Sequence, residues 1–224
     1  MREPVFITGV ERSGSALVAR VLSMSGVFTG TVSSMYENCY INVAMNSLLR
    51  DYRNGLFTNP RKVKVPDNWK DKIETILNME GHVNGLWMCK NSKLAQTWPI
   101  WNELYPNAKW IIVRRRTGDI VQSCMKTGYM RMFKSVSNQR LIGVASEADG
   151  WKWWIHQYEK TFVDMIESGV NCKVVWPERM VYDDYQQIEE TVKWLGLEWD
   201  SNIIEKIDPL LIKSKRRLYG MLDK

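Results

Sequence analysis

Val5-Phe6-Ile7-Thr8-Gly9-Val10-Glu11-Arg12-Ser13-Gly14-Ser15 decides how this chain is read. Val5 to Thr8 reads as a buried central strand, because strands of a parallel sheet are covered on both faces and stay apolar without alternation. A glycine-bounded turn with Arg12 and Ser13 follows. Ala16, Leu17, Val18, Val21 and Leu22 then recur at helical spacing, so a helix is expected over Ser13 to Met24, closed by Gly26. A strand that turns this tightly into a helix aims free backbone N–H groups, and the positive end of the helix dipole, at one point. That point suits a phosphate or a phosphate-like anion.

Gly9 and Gly14 keep the four-residue gap of a Walker A loop, but Ser15 and Ala16 stand where that loop has Lys and Ser or Thr. The missing lysine would reach the β- and γ-phosphates, and the missing hydroxyl would hold Mg²⁺, so an ordinary ATPase or kinase is disfavoured. Arg12 can supply the charge from inside the loop. The other reading is a plain strand–turn–helix with Arg12 exposed to solvent.

Working outward, Leu86 to Cys89, Trp110 to Val113 and Lys173 to Trp176 read as further strands. Helical spacing is expected over Asn38 to Tyr52, Trp69 to Met79, Leu94 to Leu104, from Asp119 to Lys126, over Trp151 to Ile166 and over Gln186 to Leu195, the last stopped at Gly196. Asn54 to Asp67, with Gly55, Pro60 and Pro66, reads as a surface loop, and residues 127–148, which show no clear period, are expected to be mobile. Strands alternating with helices imply an α/β fold: three layers, with a mostly parallel central sheet flanked by helices. Ligands of such sheets bind beyond the carboxyl ends of the strands. The turns after the first three strands carry Arg12, Lys90 and Arg114 to Arg116.

The third of these turns repeats the logic of the first. Arg114, Arg115 and Arg116 alternate in direction if the strand persists, so they should not all enter one site. Arg115 and Ser123 stand with seven residues between them, one at the strand end and one inside the next helix. Together they can hold a second phosphate, the guanidinium giving a two-pronged contact. A solvated basic turn is the alternative, and it is the reading adopted for Arg114 and Arg116. Two anion sites on one sheet edge suit a ligand with phosphates at two ends.

Bulk properties bound the remainder. The 224 residues fit a single domain over 1–224, long enough for a full core. The net charge of +6 favours anionic ligands but is too small to imply nucleic acid, and no nucleic-acid partner is expected. Cys39, Cys89, Cys124 and Cys172 form no CxxC pair, and His82 and His156 are the only histidines, so no metal site of familiar spacing assembles. The thiols are expected reduced and mostly buried, in a cytoplasmic protein. No segment reads as a secretory signal or a membrane span. Trp151, Trp153 and Trp154 are expected to pack, and so is His156 in the same aromatic helix.

The two anion elements together resemble the sulfotransferase superfamily. Gly9 to Ser15 is similar to the family's 5′-phosphosulfate loop in its arginine-containing form, typically Pro-Arg-Ser-Gly-Thr, with Glu11 in place of the proline and Ser15 in place of the threonine. Arg115 and Ser123 match its 3′-phosphate motif. Lys90-Asn91-Ser92-Lys93-Leu94 and the run from Ile100 through Tyr105-Pro106-Asn107-Ala108-Lys109-Trp110 are similar to the stretch before its third strand. Glu178 to Leu197, ending Trp194-Leu195-Gly196-Leu197, is similar to a segment near its C-terminus. Pro177 stands at the family's tyrosine position, Thr117 and Gly118 replace its usual Pro-Arg, and Lys213 to Arg217 does not reproduce its Gly-rich C-terminal motif.

The resemblance implies a P-loop NTPase-like fold and transfer of a sulfuryl group from 3′-phosphoadenosine 5′-phosphosulfate to a hydroxyl or amine. The acceptor would be a small molecule, a carbohydrate or a peptide. It implies donor contacts from Arg12, Ser13, Gly14, Ser15, Ala16, Arg115 and Ser123, and catalytic roles for Arg12, Lys90 and Glu37, with no metal. Lys90 could equally be a generic strand-end lysine. Glu37, matched to a glutamate that serves as base in arginine-loop members, could equally be a helix-start residue interacting with the dipole. Residues 28–85 and 127–154 are expected to form the acceptor pocket. Two other readings stand beside this one: a nucleotide-dependent phosphotransferase with a degenerate P-loop, and a non-catalytic binding protein on the same fold.

Overall fold

The computed structural model describes residues 2–50, 56–128 and 130–211. The basic run Lys213 to Arg217 lies outside them, as does the end of the helix expected to reach Tyr52. Four strands form one parallel sheet: β1 (Arg2–Gly9), β2 (Gly85–Lys90), β3 (Lys109–Val113) and β4 (Cys172–Val175), in the spatial order β2-β1-β3-β4. Sequence reading found all four, with β1 longer than the expected Val5 to Thr8.

Apolar strands without alternation meant burial on both faces, and the side chains divide accordingly. Phe6, Trp87, Cys89, Trp110 and Ile112 enter one core, whereas Val5, Ile7, Met88, Ile111 and Val113 enter the other. The first core is covered by α2 (Cys39–Arg50), α3 (Trp69–Met79), α4 (Trp98–Leu104), α5 (Thr117–Lys126) and α7 (Glu147–Glu167). Phe6 sits at its centre, edge-on or tilted to Trp87, Trp101 and Trp110, with ring centroids 5.9, 5.0 and 4.7 Å away. The second core is covered by α1 (Ser15–Met24), α8 (Gln186–Trp194) and the helical residues 202–211. The result is the three-layer α/β arrangement with a parallel central sheet.

Three expectations need correction. Residues 127–148 carry a 3₁₀ turn at Met132–Lys134 and helix α6 (Val136–Leu141), and α7 begins four residues before Trp151. Ser146 starts α7 by accepting a hydrogen bond from Asp149 N. Phe133 is fully buried against Gly150, where an added Cβ would lie 2.5 Å from the Phe133 ring. This segment therefore takes its order from long-range packing on α7, and no local period signals it. Leu94 to Leu104 is not one helix: a 3₁₀ turn at Ser92–Gln96 precedes α4. His156, expected to pack, is exposed, because the helical period turns Trp151, Trp154, Ile155 and Tyr158 inward and His156 outward.

All four cysteines are free, Cys89 and Cys124 buried and Cys39 and Cys172 half-buried. Burial pushes the Cys89 thiol from 9.0 up to about 12, and the nearby Glu37 carboxylate adds to the shift. Because the unfolded thiol ionises above its ordinary value and the folded one does not, Cys89 lowers stability as pH rises through 9 to 12. The slope is about 1.4 kcal/mol per pH unit. Urea unfolding of Cys89→Ala should show a shallower alkaline loss of stability than wild type, by about that slope.

Candidate functional site

The turn from β1 into α1 is closed by a hydrogen bond from Ser13 N to Val10 O at 3.0 Å. Arg12 is left-handed, with φ of 70°, and Gly14, capping α1, has φ of 93°. No side chain caps α1, and its first turn has no acidic residue. The first-turn N–H groups, which lack intrahelical acceptors, and the positive end of the dipole are therefore left to a ligand. Ser13 is buried, and its Oγ has no hydrogen-bond partner. Gly9 lets the loop close on itself: a Cβ there would lie 2.6 Å from both Ser13 Oγ and Val113 O.

The three arginines after β3 do not keep the alternation of a strand, because β3 ends at Val113. Arg114 pairs with Glu159 and lies over the Trp176 ring, and Arg116 pairs with Glu178. Arg115 alone turns to the first loop, where its Nη1 donates to the carbonyl oxygen of Arg12 at 3.1 Å. The hydroxyl of Ser123 is met by Arg12, whose Nε donates to it at 2.9 Å, and not by Arg115 as its motif spacing suggested. The two anion elements are thus joined. Ser13, Gly14, Arg115, Arg116 and Ser123 line one cleft of about 470 Å³, together with Pro177, Val181 and Tyr182.

Lys90 ends β2 one strand over and is almost fully buried, with Nζ 3.2 Å from Glu37 Oε1. Glu37 Oε2 accepts weakly from Asn42 Nδ2 at 3.4 Å. Asn38, not Glu37, starts α2: its Oδ1 accepts from the N–H groups of Tyr40 and Ile41 at 3.1 and 2.9 Å. This leaves the Glu37 carboxylate to Lys90. Arg12, Ser13, Gly14, Ser15, Ala16, Arg115 and Ser123 therefore gather on one edge, with Lys90 and Glu37 paired at the adjacent strand end. His82 is buried against Phe28 on the outer side of β2, away from this edge.

A family model described as the sulfotransferase family matches residues 4–201. The chain belongs to the sulfotransferase family. It is also similar to the solved structure of sulfotransferase STF1 from Mycobacterium tuberculosis H37Rv, at 10% identity and a TM-score of 0.49, over 90% of this chain and 69% of that one. No curated protein matches the chain.

Sequence reading missed one residue of this family member's loop. Glu11 turns away from the cleft and accepts hydrogen bonds from Ser92 Oγ and Trp154 Nε1, both at 2.7 Å, and from Tyr158 Oη at 3.5 Å. Its departure from the family's proline was the only signal. A second cavity of about 580 Å³ is lined in part by Phe57, Arg61, Leu141 and Trp153, within or beside the stretches expected to form the acceptor pocket. Phe57 packs edge-on against Trp154 and Tyr158, so an aromatic wall stands between this cavity and Glu11. Among the described residues no group of His, Cys, Asp or Glu converges as metal ligands would.

The Glu37–Lys90 pair sets up a stability test. Removing the carboxylate leaves a buried ammonium without its ion-pair partner, which costs about 2–3 kcal/mol after discounting the partial exposure of Glu37. Glu37→Ala should lose that much in urea unfolding. The double variant Glu37→Ala/Lys90→Met should regain most of it.

Proposed function

We propose that the chain, as one domain, transfers a sulfuryl group from 3′-phosphoadenosine 5′-phosphosulfate to a hydroxyl or amine of a small-molecule, carbohydrate or peptide acceptor. The observation that carries this reading is the hydrogen bond from Arg12 Nε to Ser123 Oγ. It joins the loop after β1 to the helix after β3, so groups suited to two phosphates of one ligand share a cleft.

The residues present fit such a donor. Ser13 Oγ is a buried hydroxyl without a partner, the α1 N-terminus is uncapped, and a cleft beside them carries Arg115 and Ser123. Ser15 in place of the Walker lysine leaves Arg12 as the loop's own cation. When bound, the donor supplies an activated sulfuryl group, whose bond to the 5′-phosphate oxygen breaks as the acceptor atom bonds sulfur. Arg12 and the N–H groups of Ser13, Gly14, Ser15 and Ala16 stabilise charge growing on that phosphate, as fixed dipoles do without reorganising. Arg115 and Ser123 hold the 3′-phosphate. Glu37 takes the acceptor proton. Lys90 keeps the Glu37 carboxylate in place through their ion pair and adds positive charge at the strand end.

The acceptor reaches Glu37 from the side formed by residues 28–85 and 127–154. Free thiols, two of them buried, suit a reducing compartment such as the cytoplasm. Among the described residues no helix is long and apolar enough to cross a membrane.

Calorimetric titration separates this reading from a phosphotransferase. Adenosine 3′,5′-bisphosphate should bind more tightly than ATP with Mg²⁺, and Arg115→Ala should weaken the bisphosphate roughly tenfold or more through loss of charge-assisted hydrogen bonds. Tighter binding of ATP would overturn the assignment.

A further inference from the structure

The turn Val10–Ser13 has a left-handed residue at its third position, Arg12, whereas Glu11 at its second position does not have positive φ. That combination, closed by the bond from Ser13 N to Val10 O, is a type II turn. Such turns favour proline at the second position, where the ring presets φ, and glycine at the third, where a side chain is strained. This chain has glutamate and arginine there. Both local preferences are set aside in one turn, which is held from outside by Arg115 Nη1 on the Arg12 carbonyl and by contacts of Glu11.

The Glu11 carboxylate holds the second position. Its donors are Ser92 Oγ, from the turn after β2, and Trp154 Nε1 and Tyr158 Oη, from α7. Tyr158 Oη is itself fixed by Gln96 Nε2 at 3.2 Å. None of these donors carries a positive charge to offset a carboxylate, and a negative charge beside a loop suited to anions opposes an anionic ligand by Coulomb repulsion. An arrangement that works against binding electrostatically makes sense through what it does to the backbone.

We propose that Glu11 is a positioning residue: it anchors the second position of the turn so that Arg12, held left-handed, directs its guanidinium to Ser123, which lines the cleft. The proposal rests on the reading of Arg12 as a donor contact. Position and charge predict opposite signs. If Glu11 acted only through its charge, removing it would tighten anion binding. If it positions Arg12, removing it loosens binding, and only while Arg12 is present.

The test is a double-mutant cycle read by calorimetric titration of adenosine 3′,5′-bisphosphate into the full chain, with folding checked by urea unfolding. Glu11→Ala should weaken binding roughly tenfold, as misplacement of a contact group does. Arg12→Ala should weaken it at least as much, and the double variant should match Arg12→Ala alone. Glu11→Pro, which presets the turn without the carboxylate, should recover most of the affinity. Additive losses in the double variant, tighter binding by Glu11→Ala, or no recovery in Glu11→Pro would each overturn the positioning role. Full affinity in Arg12→Ala would instead overturn the reading of the site on which it rests. Should Glu11→Ala not fold, Trp154→Phe deletes one donor and keeps a ring. It should weaken binding a few-fold in the otherwise wild-type chain and not at all further in the Arg12→Ala background; unchanged affinity in the wild-type background, or further loss in the Arg12→Ala one, would overturn the proposal.

Discussion

The position of β1 between β2 and β3 is the constraint on which the candidate site depends. Parallel pairing on both sides sets Ile7 beside Lys90 and Gly9 beside Val113, so three strand ends finish on one edge. A parallel sheet in the order β2-β1-β3-β4 reverses its winding next to β1, and loops diverging there leave a crevice. The crevice is bridged by side chains. Arg115 holds the carbonyl of Arg12, and Arg12 holds the hydroxyl of Ser123. A break in either pairing of β1 would separate these groups whatever their own chemistry.

Much of this was legible because it is local. The apolar runs of the strands, the glycines bounding the first turn and the helical spacing of Val18, Val21 and Leu22 are properties of a few adjacent residues, and they place the loop without knowledge of the rest. What escaped was set by contacts between distant parts of the chain. Glu11 lies 143 positions from Trp154, and Arg12 lies 111 from Ser123. Spacing within a motif suggested Arg115 as the partner of Ser123, but the guanidinium that reaches it comes from another strand end. The order in residues 127–148 depends in the same way on Phe133 finding Gly150.

Charge at this edge is arranged more than accumulated. Arg114 and Arg116 are drawn aside by Glu159 and Glu178, and Lys90 is held by Glu37. Arg115 Nη1 instead contacts a carbonyl and Arg12 Nε a hydroxyl, which are neutral acceptors. Neutral partners give up a guanidinium to a phosphate at far smaller loss than a carboxylate would, because no opposite charge is left uncompensated.

Two carboxylates near the strand ends, Glu37 and Glu11, are turned to other partners. Glu37 is committed to Lys90, and Glu11 is turned by Ser92, Trp154 and Tyr158 to the opposite side of its turn. A carboxylate free to rotate toward Arg12 would form a charge-assisted pair and fill the place of the anion. Three neutral donors prevent this geometrically: the side chain that departs from the family's proline is bound on the α7 side, and the residue next to it projects the other way. The aromatic wall of Phe57, Trp154 and Tyr158 thus has a consequence for the loop as well as for the core. By holding Glu11 it keeps Arg12 turned to Ser123, and the cleft beside them keeps its positive edge.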